Sequence, residues 1–408
     1  MVEVVFDSFL IWVHAAGMSN RSPVFAQIMC ALDPTEFARC VAHFPSRRAP
    51  RGLSAYDHFL ALCFAQLTYR ESLRDVVACL NARAGRAYHM GFRSHVTRTN
   101  LAYANQHRDW RAFAAVAQRL MQRAQKLYQD EPLPDDQWPA VVYALDASLI
   151  ELSCALFPWA WWQGQFAAVK LHTLLDLRGN LPAWCLVTEV TFADQKTLAH
   201  LPAMPGAFII MDRGYLDFPR LARLAGGGAR FVVRAKARLR FRVLESRPVD
   251  KTTGLRCDQS IALRGRYSRH AFVSPLRRVG VRDEATKRSL VLLTNDFALS
   301  AQTIGELYRR RWQVELFFKW IKQHLRVRTF FGRTPNAVQV QKIWTAICAY
   351  LLTAIARKQL KLPQSLHQIL QIVSVSAFEQ IPLPELVMEN TQCDLLSQSP
   401  NQLLLNEI

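Results

Sequence analysis

Three carboxylates stand where they could do chemistry. Asp146 closes the apolar run VVYALD, and Asp212 closes AFIIMD. Each run reads as a short strand whose last side chain is aimed at the open end of a sheet. A carboxylate there is costly unless it is solvated, paired or bound to metal. The third, Glu315, lies in YRRRWQVELFFKWIKQHL, which carries helical spacing. Converging carboxylates repel, and divalent cations relieve that repulsion. Hard oxygen donors favour Mg²⁺, with Mn²⁺ as a substitute. Two such ions about 3.5–4 Å apart activate a nucleophilic oxygen and stabilise a leaving oxygen in phosphodiester chemistry. Water would be the nucleophile for nicking, and a 3′-hydroxyl for strand transfer.

The helix around Glu315 sharpens this picture. At about 100° per residue, Tyr308, Arg311, Glu315 and Lys322 fall within roughly 60° of one another, and Lys319 lies close to the same stripe. One carboxylate among cations suits a metal ligand flanked by groups that grip phosphate. The same spacing also describes an exposed helix with Arg311–Glu315 and Glu315–Lys319 pairs four residues apart. The helix alone leaves both readings open.

The three acids and the helix together resemble the DDE transposases of the insertion-sequence-4 family. Asp146 in LDAS and Asp212 in MDRGY match its first two acids, and Tyr308, Arg311, Glu315 and Lys322 match its Tyr-x2-Arg-x3-Glu-x6-Lys signature without gaps. The runs KLHTLLDLRGN and ELFFKWIK are also similar to the family, and the likeness extends from about Met18 to the late 370s. The resemblance implies a ribonuclease-H-like α/β catalytic core with a β-rich insertion, preceded by an all-helical N-terminal domain. It implies Asp146, Asp212 and Glu315 as catalytic metal ligands for two Mg²⁺ ions. Tyr308, Arg311 and Lys322 would hold phosphates, with Lys319 and Arg213 as further phosphate contacts. The implied activity is cut-and-paste transposition: nicking at the element ends, a hairpin intermediate, and 3′-hydroxyl joining to a target. The implied partners are terminal inverted repeats, target DNA and a second copy of the chain. In hairpin-forming relatives a flipped base can stack on a tryptophan of the insertion; no Trp occurs here between Trp184 and Trp312. Two other readings are a nuclease of the same fold that cuts without joining, and a DNA-binding relative without catalysis.

The elements that must position these groups can be read along the chain. Residues 18–130 read as helical, with Ser54 and Thr97 or Thr99 as N-caps and a helix from about Glu71 that stops at Gly85. Short helices with Arg-bearing faces fit a DNA-binding unit as well as a plain bundle. Residues 1–17 read as an upstream extension before Met18. The acidic, Pro-rich segment at 131–140 reads as a linker. An α/β domain is expected over 141–360, with a hairpin turning near Gly179-Asn180, a helix stopped by Gly226–Gly228, and long helices over 300–325 and 336–360. Residues 361–408 form a helical tail. His172 reads as a core residue.

Charge points to the partner. The 408 residues hold 51 Lys+Arg against 32 Asp+Glu, a net +19, which calls for a polyanion. From Arg213 to Arg288 there are 20 Lys+Arg against 6 Asp+Glu, so the expected insertion at about 235–290 would turn a basic face to a phosphate backbone. No apolar run reaches the roughly 18–20 residues of a membrane span. Nine scattered cysteines without a C-x-x-C pair argue against a structural zinc motif and a disulfide framework, and fit a reduced cytosol; the resemblance implies a bacterial cytoplasm, at the nucleoid.

Overall fold

The computed structural model describes residues 22–46, 52–133, 138–139, 141–152, 161–162, 166–282, 289–324 and 334–388. The expected extension at 1–17 and the end of the tail, 389–408, lie outside the described residues. Contacts divide the chain into two compact units, residues 128–320 and residues 1–127 with 321–408.

The first unit is built on one sheet of ten strands. These are β1 Val142–Leu152, β2 Trp161–Trp162, β3 Phe166–Asp176, β4 Leu181–Glu189, β5 Phe208–Met211, β6 Arg230–Arg234, β7 Phe241–Arg247, β8 Leu255–Leu263, β9 Leu276–Arg282 and β10 Ser289–Thr294. The order is β2-β3-β1-β5-β6-β10-β9-β8-β7, with β4 also paired to β3. Only β1, β5 and β6 run parallel; every other pairing is antiparallel. Val142–Leu145 and all of β5 are buried, as central strands covered on both faces must be.

Alternation sends odd and even residues to opposite faces. Tyr143, Leu145, Ile209, Met211, Phe231 and Val233 form one core, against which Phe218, Leu221 and Ala222 of the helix Phe218–Gly226 pack. Asp217 caps that helix by accepting from the Arg220 N–H at 3.1 Å. Val142, Phe208, Ile210 and Val232 form the other core, covered by Ala301, Ile304, Leu307 and Tyr308 of the helix Ala301–Arg309. Ser300 caps it through the Thr303 N–H at 3.0 Å. The hairpin between β3 and β4 turns at Gly179 and Asn180, both at positive φ. A side chain at Gly179 would meet the Tyr128 ring at 2.3 Å, so the close approach requires glycine.

The β-rich insertion continues the same sheet. Strand β10 pairs with β6 on one side and β9 on the other. A buried bidentate pair fixes this extension: Arg277 donates to both Asp258 oxygens at 2.8 Å. Burial would raise the Asp258 carboxyl, but Arg277 and Arg247 overrule it and hold it below its ordinary value.

The second unit is helical and drawn from both ends of the chain. The helices Ala55–Leu67 and Thr345–Gln359 are buried almost all round and pack on each other. Ser54 caps the first as expected, accepting from the Asp57 N–H. Ser72 and Asp75 form a capping box on Leu73–Ala82, and Thr97 caps Arg98–His107. Gln27, fully buried, donates to the Ile381 carbonyl and accepts from the Leu383 N–H, tying the first helix to the tail.

Three expectations need correction, and contacts divide the chain differently from the expected bounds: Thr345–Gln359, expected within 141–360, is apolar on every side and packs among the N-terminal helices. The linker contributes to a core, since Trp138 is buried beside Val142 and Phe208 with the Arg310 guanidinium 5.7 Å from its ring. Gly85 does not stop a helix but lies inside a short one, Ala84–His89. The helix over 300–325 is two helices, Ala301–Arg309 and Trp312–His324.

His58 carries a testable consequence. It is fully buried, donates from Nε2 to Asn105 Oδ1 at 2.8 Å, and is held at about 3 by burial and then by Arg108. The folded chain therefore refuses a proton that the unfolded chain takes up below about pH 6.5. Stability from this group is complete above pH 6.5 and falls by up to ~1.4 kcal/mol per pH unit as pH drops toward 3. In urea melts at pH 7 and pH 5, His58→Gln should lose less stability between the two than the unsubstituted chain.

Candidate active site

Register brings the first two acids together. Leu145 and Met211 are the last parallel partners of β1 and β5, so Asp146 and Asp212 follow as neighbours. Both share the sheet face of Val142, Ala144, Phe208 and Ile210, toward the helix Ala301–Arg309. Asp146 does not end its strand, as expected from the apolar run. Strand β1 continues to Leu152 on its antiparallel partner β3, with Asp146 opposite Thr173. What ends at Asp146 is the parallel ladder.

The helical side is set by the break at Arg310 and Arg311. The N–H groups of Arg311, Gln313 and Val314 each donate to the carbonyl three residues earlier, at 3.0–3.1 Å, which tightens the turn between the two helices. Arg311 therefore sits at a joint. Its Nη1 donates to Asp146 Oδ2 at 2.8 Å and its Nη2 to Glu315 Oε1 at 2.6 Å. The Tyr308 hydroxyl donates to Asp212 Oδ1 at 3.2 Å, and the Ala147 N–H to Asp146 Oδ1 at 2.8 Å. Tyr308, Arg311 and all three acids thus form one polar cluster, as the spacing anticipated, although a straight helix does not carry them. Arg213, Lys319 and Lys322 are exposed and do not enter it.

Electrostatics follow from this sharing. Burial pushes Asp146 up to about 6; Arg311 and the Ala147 N–H oppose that, while Glu315 and Asp212 add to it. One guanidinium divided between two carboxylates compensates neither in full. Burial would lower Arg311, but Asp146, Tyr308 and Glu315 prevail and raise it. Burial, then Asp212, pushes Tyr308 up to about 12, so it stays a hydrogen-bond donor. Among the described residues, no three His, Cys, Asp or Glu side chains stand close enough to hold one ion as they are. The donor set nonetheless suits a hard cation: Asp146 and Glu315 share one guanidinium and Asp212 accepts from a neutral tyrosine hydroxyl, which leaves negative charge uncompensated.

Across the sheet lie groups that the sequence did not single out. His172 is buried, as expected, between Thr188 at 2.9 Å and Thr197 at 3.0 Å, and burial holds it at about 4. Asp194 pairs with Lys170 at 3.0 Å. Its Oδ2 lies 3.5 Å from where a Cβ on Gly214 would stand, so this loop rests on the turn that carries Asp212. Asp194 was not found because it stands alone in a loop; the glycine of MDRGY was the available signal.

Asp146 gives a pH signature. Its folded value lies above the ordinary 3.8, so its contribution favours folding below about pH 4 and is lost as pH rises through about 6. In protein stripped of divalent ions, Asp146→Asn keeps an oxygen for Arg311 but cannot charge. Its Tm relative to the unsubstituted chain should rise between pH 4 and 6.5 and level off above, as read by calorimetry; a constant difference would contradict the burial.

Comparison with known proteins shows which family the chain is similar to. The family described as "Transposase DDE domain" matches residues 137–352, and a domain of unknown function matches residues 20–93. A protein of Sinorhizobium fredii named as a transposase, y4zB, is 30% identical over 245 residues, covering 59% of this chain and 68% of its own. A protein of Geobacillus stearothermophilus named as the transposase of insertion sequence element IS5377 is 31% identical over 218 residues, covering 53% of this chain and 56% of its own. A Synechocystis protein named for insertion sequence element IS4SA is 24% identical, covering 52% of this chain and 59% of its own. The chain thus spans between about half and two thirds of these relatives. A solved piggyBac transposase synaptic complex with hairpin DNA covers 95% of this chain and 86% of that one, with a TM-score of 0.43 and 11% identity. On the match over 137–352, the chain belongs to the DDE-domain transposase family.

Proposed function

We propose that this chain is a metal-dependent DNA transposase of the insertion-sequence-4 type, working by cut-and-paste. The observation that carries this reading is the cluster itself: Arg311 joins Asp146 to Glu315, and Tyr308 joins Asp212. That Tyr308 and Arg311 of the signature bond to the acids supports reading them as parts of one site. The order of strands supports a ribonuclease-H-like core, since an antiparallel β4-β3-β1 set is followed by parallel β5 and β6.

Asp146, Asp212 and Glu315 would hold two Mg²⁺ ions, or Mn²⁺ in their place. Such ions supply Lewis acidity to the attacking and leaving oxygens of an in-line displacement. The chain does the positioning. Adjacent strands fix Asp146 and Asp212, and the joint before Trp312–His324 brings Glu315 to them. Tyr308 holds Asp212 by a hydrogen bond and, being protonated, can also face a phosphate. Exposed Arg213, Lys319 and Lys322 would grip the strand on either side of the scissile bond. The basic insertion and the N-terminal helices would hold the terminal repeat, and two copies would hold two ends. A hairpin on the flanking DNA follows from the resemblance. Of the insertion aromatics that could stack a flipped base in place of a tryptophan, Phe231 and Phe272 are buried, Phe241 is half-buried and Tyr267 is 74% exposed.

Asp146→Ala, Asp212→Ala and Glu315→Ala should each reduce cleavage of the flanking inverted repeats to background, with DNA binding largely kept; cleavage by any of them would sink the assignment. Joining of the cut end to a target plasmid separates a transposase from a nuclease. Binding should weaken about 10³-fold or more between 50 and 200 mM salt if six or more phosphates are contacted.

A further inference from the structure

Arg311 has an arrangement that a plain phosphate-binding arginine does not need. Both of its terminal nitrogens are spent on carboxylates, at 2.8 Å on Asp146 and 2.6 Å on Glu315. The two acids come from different elements, a strand and a helix, so one guanidinium fills the gap between them. Its side chain is 18% exposed, so solvent offers little competition. Arg213, Lys319 and Lys322 stand exposed, so Arg311 is the one side-chain cation engaged with these acids among the described residues.

A divalent ion shared by Asp146 and Glu315 would compete with Arg311 for Asp146 Oδ2 and Glu315 Oε1. The guanidinium held between these acids repels an incoming divalent ion, so its withdrawal favours uptake. Its geometry says what would draw it away: a planar fork of donors matches a phosphate as well as a carboxylate. A DNA strand brings that phosphate. The turn at 310–311, rather than mid-helix backbone, carries the side chain.

We propose that Arg311 is an internal counter-ion that keeps divalent metal out of the DNA-free site and releases the acids when a DNA phosphate takes it up. This rests on the metal-dependent reading above and adds a regulation to it. Metal uptake and DNA binding are then linked, each tightening the other by the same factor. A free transposase would carry little metal and would not nick DNA it has not engaged.

The test is Mn²⁺ affinity, measured by electron paramagnetic resonance with and without a pre-cleaved end duplex, which offers phosphates but no scissile bond. The unsubstituted protein should bind Mn²⁺ about tenfold or more tightly with the duplex, within the usual range of such couplings. Arg311→Gln should bind Mn²⁺ without DNA nearly as tightly as the unsubstituted protein does with it, and the duplex should then add less than about threefold. Arg309→Gln, which removes one charge from the same joint but outside the cluster, should keep the full coupling. If Arg311→Gln fails to fold, Arg311→Lys serves, because one ammonium cannot reproduce the fork. Equal Mn²⁺ affinity with and without duplex, or no gain in a folded Arg311 variant, overturns the proposal. If Asp212→Ala binds Mn²⁺ as well as the unsubstituted protein, the metal-dependent reading itself fails.

Discussion

Like charge is the constraint around which this molecule is arranged. Three carboxylates near one end of a sheet repel, and burial makes that repulsion stronger. The surroundings answer it. Arg311 lies between two of the acids, and Tyr308 and the Ala147 N–H give hydrogen bonds to the oxygens. The residual strain is visible in Asp146, which burial pushes up to about 6 despite an arginine at 2.8 Å. The remainder of the chain supplies the scaffold that holds the acids near one another.

That scaffold comes from ordinary packing. Even-numbered side chains of β1 and β5 face one core until the ladder ends, and the next even positions on the same face are Asp146 and Asp212. The acids inherit their direction from apolar neighbours two and four residues earlier. The helix Ala301–Arg309 covers the same core with Ile304, Leu307 and Tyr308, so the residue that holds Asp212 is itself part of the core. The insertion adds strands to the sheet rather than a separate body, and the buried Asp258–Arg277 pair secures it.

Much of this could be read from the sequence, and the failures share a cause. Caps at Ser54 and Thr97, the turn at Gly179-Asn180 and the acids after apolar runs are local signals, decided within a few residues. The full length of β1 is not local: it is set by β3, which continues to pair after β5 has stopped. The break at Arg310 and Arg311 carries no Pro or Gly to announce it. It is imposed where Tyr308 must stay in the core while Arg311 reaches Asp146. The placement of Thr345–Gln359 was equally hidden. Its apolar faces say that it is buried but not against what, and its partners lie nearly 300 residues earlier in the chain.

That last placement bears on how the protein comes into being. The helical unit is split, and the α/β unit is threaded between its halves. During synthesis the N-terminal helices must wait for roughly 250 further residues before Thr345–Gln359 and the tail segment bound by Gln27 can pack on them. At ~5–20 residues per second that is about 13–50 s. The α/β unit is meanwhile complete and free to fold first. A chain interrupted after residue 320 would keep its acids but lack the second half of its helical unit.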